Sequence, residues 1–252
     1  MSAPAWLTAR PIAHRGLHDA SLGRIENSHA AARAAIERGF AIECDVQLSA
    51  DGEAFVFHDA TLERLTEAVG AVAARRAEEI AATRLRGADE TIPSFAEFLS
   101  AVGGAVPLIC EIKSHFDGDF RLAERVLALS ASYNGPLAFK SFDPEIIARL
   151  RATGTARPLG IVAEASYDDP YFAEMSMEQK LSAGAWLHFD RTRPDFLSWY
   201  VEDLPHAIPQ LFRGIGRLPV VTWTVRTDAQ RARAEKFVDQ IVFEDEPAKW
   251  RA

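Results

Sequence analysis

A chain of 252 residues, 48% of them hydrophobic, can bury the core of one barrel-sized domain or two small ones. Its 36 acidic against 28 basic residues (net charge −8) exclude the broad positive face that nucleic acid requires, so an anionic ligand must meet local positive charge or a bound cation. No stretch approaches the roughly 18 apolar residues of a membrane span, the first ten residues lack the regions of a signal peptide, and two cysteines are too few for a disulfide framework. Stable membrane insertion is therefore not expected, and the expected location is cytoplasmic.

Short β-rich runs alternate with Ala-, Arg-, Glu- and Leu-rich stretches. In chain order the predicted strands are Pro11–His14, Ala41–Leu48, Ala54–His58, Val106–Ile112, Leu137–Phe142, Leu159–Val162, Ala185–Phe189, Val220–Val225 and Gln240–Phe243. Helices are predicted at Ser28–Arg38, capped by Asn27 or Ser28 and ended by Gly39, then at Asp119–Ser130, Pro144–Arg151 and Asp228–Phe237, the last capped by Asp228. Such alternation reads as a parallel α/β sheet, and an eight-stranded barrel matches the length. A doubly wound open sheet is the competing arrangement.

Nine strands are one too many for that barrel. Only Ser49-Ala50-Asp51-Gly52-Glu53 separates the second and third, far short of the dozen or so residues of a parallel crossover, so this pair must be antiparallel. The expected fold is thus a TIM-like (β/α)8 barrel with an extra hairpin arm after its second strand. It is expected to form a single catalytic domain over residues 1–252, with 59–105 as a long connection within it. With Asp51-Gly52 as a two-residue turn, the register sets Ala50 opposite Glu53 and Asp45 opposite His58.

In Glu43-Cys44-Asp45 the strand alternation turns both acids to one face and Cys44 to the other. Apolar Ile42, Val46 and Leu48 put the Cys44 face under the helices, so the acids face the barrel interior. Buried acids need compensation, and a divalent cation is the simplest compensator. Cys110-Glu111-Ile112-Lys113 repeats the arrangement at the C-terminal end of another strand, where barrel sites are built. Glu111 would complete a three-carboxylate metal site, against the plainer reading of a Glu111–Lys113 ion pair. Cys44 and Cys110 should then lie near each other as buried thiols.

His14-Arg15-Gly16 ends the first strand and offers a proton-transfer group beside a phosphate clamp. His58-Asp59 brings a second histidine to the same acids. Glu43, Asp45 and Glu111, a divalent ion, Arg15, Lys113 and a phosphodiester monoanion sum to zero charge. His18, His29, His115, His188 and His206 are expected to be structural. Phe196, Trp199 and Tyr200 read as packing of a loop helix, or as a lid or lipid-facing patch, and Arg226–Arg233 as a solvated helix start.

Taken together, His14-Arg15-Gly16, Glu26-Asn27-Ser28, Glu43-Cys44-Asp45-Val46, His58-Asp59, Glu111-Ile112-Lys113, Ser141-Phe142-Asp143, Trp223-Thr224-Val225 and Asp245-Glu246-Pro247 resemble the ordered motifs of glycerophosphodiester phosphodiesterases. The match runs from residue 14 to 247. The resemblance implies a barrel that hydrolyses glycerophosphodiesters, a small-molecule substrate, to glycerol 3-phosphate and an alcohol. It further implies Mg²⁺ or Ca²⁺ on Glu43, Asp45 and Glu111, His14 and His58 as the acid–base pair, Arg15 and Lys113 on the phosphate, and Trp223 lining the glycerol pocket. The family's usual Pro-Glu-Asn-Thr is here Ile25-Glu26-Asn27-Ser28, Glu244 replaces a threonine, and Arg226 stands where asparagine is common; these departures bear on the alcohol more than on the reaction. The alternatives are a lysophospholipase D-like or phosphoinositide-cleaving relative acting on lipid, and a catalytically silent barrel that binds a phosphate metabolite.

Overall fold

The computed structural model describes residues 3–244, so the Asp245-Glu246-Pro247 motif lies outside the described residues. Among the described residues there are nine strands: β1 (Ile12–Ala13), β2 (Ala41–Leu48), β3 (Ala54–Val56), β4 (Leu108–Ile112), β5 (Leu137–Ser141), β6 (Leu159–Ala163), β7 (Phe196–Tyr200), β8 (Val220–Val225) and β9 (Gln240–Phe243). Eight are parallel in the order β1-β2-β4-β5-β6-β7-β8-β9, and β9 pairs back onto β1 to close the barrel. The ninth, β3, runs antiparallel to the last three residues of β2, outside the ring. Helices α1 (His29–Glu37), α2 (Ala77–Ala81), α3 (Phe95–Val102), α4 (Arg121–Leu129), α5 (Pro144–Ala152), α6 (Met177–Gly184), α7 (Phe189–Thr192), α8 (Ala207–Leu211) and α9 (Asp228–Phe237) fill the connections. Among the described residues no helix is long and apolar enough to cross a membrane.

Strand alternation divides the core in two. Outward residues such as Ile42, Cys44, Val46, Leu108, Cys110 and Phe139 pack beneath the helices. Inward residues Ile12, Ala41, Ile109, Ala138, Phe196, Val221 and Val242 form an apolar floor. The floor leaves no room for a side chain on β6: a Cβ on Gly160 would come within 2.3 Å of the Phe196 ring. Above the floor the inward positions turn polar, at Glu43, Asp45, Glu111, Lys140 and Ser198. Tracing partners from Asp45 through Glu111, Lys140, Gly160 and Phe196, then on through β8, β9 and β1, returns to β2 displaced by eight residues, the shear of an eight-stranded parallel barrel. That stagger sets Ala163, Tyr200, Thr224 and Arg15 at the height of Asp45.

Cys44 and Cys110 are direct register partners, buried and free, as expected. The hairpin differs from its prediction by one residue. Its pairs are Val46–Val56, Gln47–Phe55 and Leu48–Ala54, which sets Asp45 opposite Phe57 instead of His58. The Ser49 amide donates to the Glu53 carbonyl, leaving a three-residue turn, Ala50-Asp51-Gly52, with Gly52 in the left-handed region (φ 91°).

The predicted strand Ala185–Phe189 is wrong. Ser176 caps α6 by accepting from the Gln179 amide, the helix runs to Gly184, and the chain then turns through Trp186 into α7. A five-residue apolar run cannot be assigned to strand over helix by periodicity. The seventh strand is Phe196–Tyr200, so Phe196, Trp199 and Tyr200 belong to the barrel wall and not to a loop helix or a lid. Thr227, not Asp228, caps α9, with Gln230 completing the capping box. Residues of the 59–105 connection build an apolar cluster, including Leu62, Val72, Ile80, Leu85 and Ile92, against Phe55 and Phe57 on the hairpin side.

Candidate active site

The polar layer sits at the C-terminal ends of β1, β2, β4 and β5. Glu43 and Asp45 rise from β2 and Glu111 from β4, with carboxylate oxygens all within 4.8 Å of one another. All three are buried, an arrangement that demands counter-charge. Lys113 Nζ lies 2.8 Å from Asp45 Oδ1 and 2.5 Å from Glu111 Oε1. Lys140 Nζ bridges Glu43 Oε1 and Glu111 Oε2 at 3.0 Å each. Burial opposes ionisation of Glu111, yet Lys113 and Lys140 hold its carboxyl down at about 2. Burial opposes Asp45 too, but Lys113, His58 and Arg15 keep it well below the usual carboxylate range.

The turn after β1 supplies the third cation. Arg15 adopts a left-handed conformation (φ 55°), from which its amide donates to Glu43 Oε2 at 3.2 Å. Its guanidinium reaches Glu26 at 2.6 Å and Asp45 at 3.3 Å. Gly16 follows at φ 79°, where a Cβ would sit 2.9 Å from Ala31. The next motif serves the same purpose residue by residue. Glu26 grips Arg15; Asn27 donates to Asp45 Oδ2 at 3.0 Å and accepts from the Asp45 amide at 3.3 Å; Ser28 caps α1 by accepting from the Ala31 amide.

Each candidate histidine has its Nδ1 against a carboxylate. His14 Nδ1 lies 2.5 Å from Glu244 Oε1, with Nε2 3.8 Å from Glu43 Oε2. Arg226 holds the other Glu244 oxygen at 2.6 Å. His58 Nδ1 lies 2.7 Å from Asp59, which Arg64 holds in turn. The chain leaves the β2 ladder after Val56, and Gln47 Nε2 donates to the His58 carbonyl at 2.9 Å, so His58 reaches the site by a bend that strand register could not foretell. A neutral imidazole so held carries its proton on Nδ1 and presents Nε2 as a base.

A cavity of about 360 Å³ joins these groups and is lined by His14, Arg15, Asp45, His58, Glu111, Lys113 and Lys140 on one side and by Phe142, Tyr171, Tyr200, Trp223 and Glu164 on the other. Trp223 donates its Nε1–H to the Ser198 carbonyl at 3.2 Å, with its ring 5.4 Å from Phe142 and 5.0 Å from Tyr200. Tyr171 lies 5.8 Å from Lys113 Nζ. All eight expected site residues are thus gathered around one opening.

Three contributors escaped the sequence reading. Lys140 was visible only as an inward position of β5, two residues after Ala138. Glu244 and Arg226 stood out as departures from a family pattern, and they form the bracket behind His14. Arg226 is therefore part of the site, whereas Arg231 and Arg233 pair with Glu235 and Glu202 as a solvated helix should. Asp143 caps α5 and accepts from Ser114, a structural duty. His188 bonds Thr192, His206 caps α8, His29 stacks on Phe98 and His115 pairs with Glu174.

Comparison with known proteins agrees with this architecture. The solved structure of an Oleispira antarctica phosphodiesterase in complex with the product sn-glycerol-3-phosphate superposes with a TM-score of 0.75 at 20% identity, covering 94% of this chain and 92% of that one. The glycerophosphodiester phosphodiesterase of Thermotoga maritima gives 0.68 at 23% identity, over 92% of each chain. In sequence, glycerophosphodiester phosphodiesterase 1 of Bos taurus is 32% identical over 154 residues, 56% of this chain and 45% of its own, so the match spans about half the length of that relative. The glycerophosphodiester phosphodiesterase of Caldanaerobacter subterraneus is 30% identical over 177 residues, 66% of this chain and 72% of its own. The model of the glycerophosphoryl diester phosphodiesterase family matches residues 14–249, and to that family the chain belongs.

Proposed function

We propose that the chain is a metal-dependent phosphodiesterase that cleaves glycerophosphodiesters to glycerol 3-phosphate and an alcohol, and that the whole barrel, with 59–105 as an insertion, is one catalytic domain. The carrying observation is a cluster of three convergent carboxylates flanked, within one cavity, by two histidines each oriented by its own acid.

Three hard oxygen donors within 4.8 Å of one another suit Mg²⁺ or Ca²⁺, and Glu43, Asp45 and Glu111 would be its ligands. Bound there, the ion would supply Lewis-acid stabilisation of charge on the phosphoryl oxygens. Arg15 and Lys113 hold the remaining phosphate charge, while Trp223 faces the glycerol. The hydroxyl next to the esterified glycerol carbon attacks phosphorus with the advantage of a tethered nucleophile. One of His14 and His58 takes that proton through Nε2 as the other protonates the departing alcohol; the roles reverse when water opens the cyclic phosphate. Glu244 and Asp59 fix the two rings and stabilise the imidazolium that forms. The free, facing thiols of Cys44 and Cys110 suit the reducing cytoplasm in which we place the enzyme.

The test is phosphate-monoester release from a panel of diesters, with and without divalent metal. Metal-dependent release from glycerophosphodiesters is expected. An analogue without the attacking hydroxyl should bind and not turn over; turnover at the native rate would eliminate the cyclic route in favour of direct attack by water.

A further inference from the structure

The cavity wall opposite the carboxylates carries two acids that the proposed reaction leaves unused, Glu164 and Asp169. Glu164 follows the last residue of β6 and, by the barrel stagger, stands one step above the height of Asp45. In the ring of eight strands β6 lies across the mouth from β1, so Glu164 faces Arg15 over the opening, with Tyr200 on the adjacent β7 and Trp223 on the β8 beyond. The other acids of the cavity have partners: Asp45 and Glu111 have lysines, and Asp169 accepts from the Tyr171 amide at 2.8 Å. Among the described residues the Glu164 carboxylate has neither an ion pair nor a hydrogen bond. Burial and the nearby Asp203 and Asp169 push its carboxyl up to about 7. Near neutral pH it can both accept and donate a hydrogen bond, the pairing a hydroxyl requires.

The geometry points to Glu164 as the receptor for the terminal hydroxyl of the substrate's glycerol, a role that confines the enzyme to diesters whose glycerol is unacylated. This inference rests on the phosphodiesterase reading above. With phosphate held on the β1–β2–β4 side, the glycerol chain extends across Trp223 toward β6. Its terminal hydroxyl is the only group of a glycerophosphodiester's glycerol left without a task, since one oxygen carries phosphorus and its neighbour attacks. An acyl chain on that oxygen removes the proton and sets ester lone pairs against the acid. A site built to bond a hydroxyl discriminates strongly against an analogue lacking it, because its own polar group is left unpaired.

The experiment compares wild type and Glu164→Leu on four substrates: glycerophosphocholine, glycerophosphoglycerol, the phosphocholine diester of 1,2-propanediol (which keeps the attacking hydroxyl and lacks the terminal one), and a water-soluble 1-butyryl lysophosphocholine. Wild type should favour glycerophosphocholine over the propanediol and butyryl substrates by about 10- to 100-fold in kcat/KM, the range of a hydrogen bond to a charged group. In Glu164→Leu that ratio should collapse, mainly through a higher KM for both glycerol substrates, with the thermal midpoint of unfolding not lowered. An equal loss on all four substrates, or rapid wild-type cleavage of the butyryl substrate, would overturn the assignment. A loss confined to glycerophosphocholine, sparing glycerophosphoglycerol, would mean that Glu164 reads the cationic alcohol instead, and would overturn it equally. If wild type cleaves none of the four with metal present, the phosphodiesterase reading itself has failed.

Discussion

Replacing Lys140 with Met removes a cation that touches two of the three clustered carboxylates and is itself 2% exposed. Each 3.0 Å contact is worth ~5 kcal/mol at an effective dielectric of about 20, and taking the ammonium out of water costs back several kcal/mol. Losing one partner of a buried pair strands the other, and the net cost expected is about 3–5 kcal/mol. The assay is equilibrium unfolding in denaturant, run once with chelator and once with Mg²⁺ or Ca²⁺. In chelator the Lys140→Met midpoint should fall by the amount stated. Metal at a hundredfold excess over its Kd should then return about 2.7 kcal/mol. The proposed ion would share these carboxylates with Lys140, so it should bind the variant more tightly than wild type. A variant as stable as wild type in chelator, or one whose metal affinity is unchanged, would refute the claim that Lys140 and the ion answer the same charges.

Three further outcomes follow from the same structure. Glu43→Gln, Asp45→Asn or Glu111→Gln should each lower diester turnover roughly 100-fold or more; the amides are chosen because alanine would leave Lys113 and Lys140 facing a hole, and full turnover after exhaustive chelation, confirmed by metal analysis, would remove the three-carboxylate site. Gly160→Ala should destabilise the barrel by about 1–3 kcal/mol through its clash with Phe196, and Phe196→Leu in the same chain should recover part of that loss. Glu164, whose folded pKa of about 7 lies above its unfolded value, binds its proton more tightly in the folded state, so its burial costs stability increasingly as pH rises from about 4.5 to 7; Glu164→Gln should match wild type at pH 4 and exceed it at pH 8 by on the order of 1 kcal/mol after discounting for solvent screening, and equal stability at pH 8 would contradict this.

What the sequence made legible was whatever depends on alternation and strand-end placement. Glu43 and Asp45 had to share a face, Cys44 the other, and the five-residue gap before Ala54 had to be a hairpin. Backbone periodicity decides all of these locally. The misses have a different physical origin. Ala185–Phe189 is a short run that lies in the turn between α6 and α7, where Trp186 packs 5.0 Å from Phe212, a contact with a segment 26 residues on that local pattern does not reveal. The hairpin register turned on a three-residue loop where Asp-Gly suggested two. Lys140 acts through Glu43 and Glu111 on other strands and Glu244 through His14, 230 residues away, so neither announced itself as part of a motif. His58 arrived at the right place by a bend rather than by the expected pairing, so agreement on position was not agreement on cause.

Counting Lys140 changes the electrostatics of the site and, with it, what the site is built to hold. Glu43, Asp45 and Glu111 are already matched one for one by Arg15, Lys113 and Lys140. A divalent ion with a diester monoanion would leave the cluster at +1, whereas the same ion with a dianionic phosphoryl group brings it to neutrality. Charge of that second kind builds up as a nucleophile adds to phosphorus, so the surplus favours the transition state over the bound diester, the condition for catalysis as distinct from mere binding. Glycerol phosphate, the product of the proposed reaction and a dianion near neutral pH, shares that charge. It should bind the metal-loaded enzyme at least tenfold more tightly than a non-hydrolysable diester of the same glycerol, because one unmatched charge at about 5 Å is worth ~3 kcal/mol at an effective dielectric of about 20. Lys140→Met, which removes the surplus, should erase most of that preference while both ligands still bind. Calorimetric titration of the two ligands into wild type and variant measures it. Equal affinities in wild type, or a preference that survives in Lys140→Met, would mean that Lys140 serves only to keep the buried acids folded.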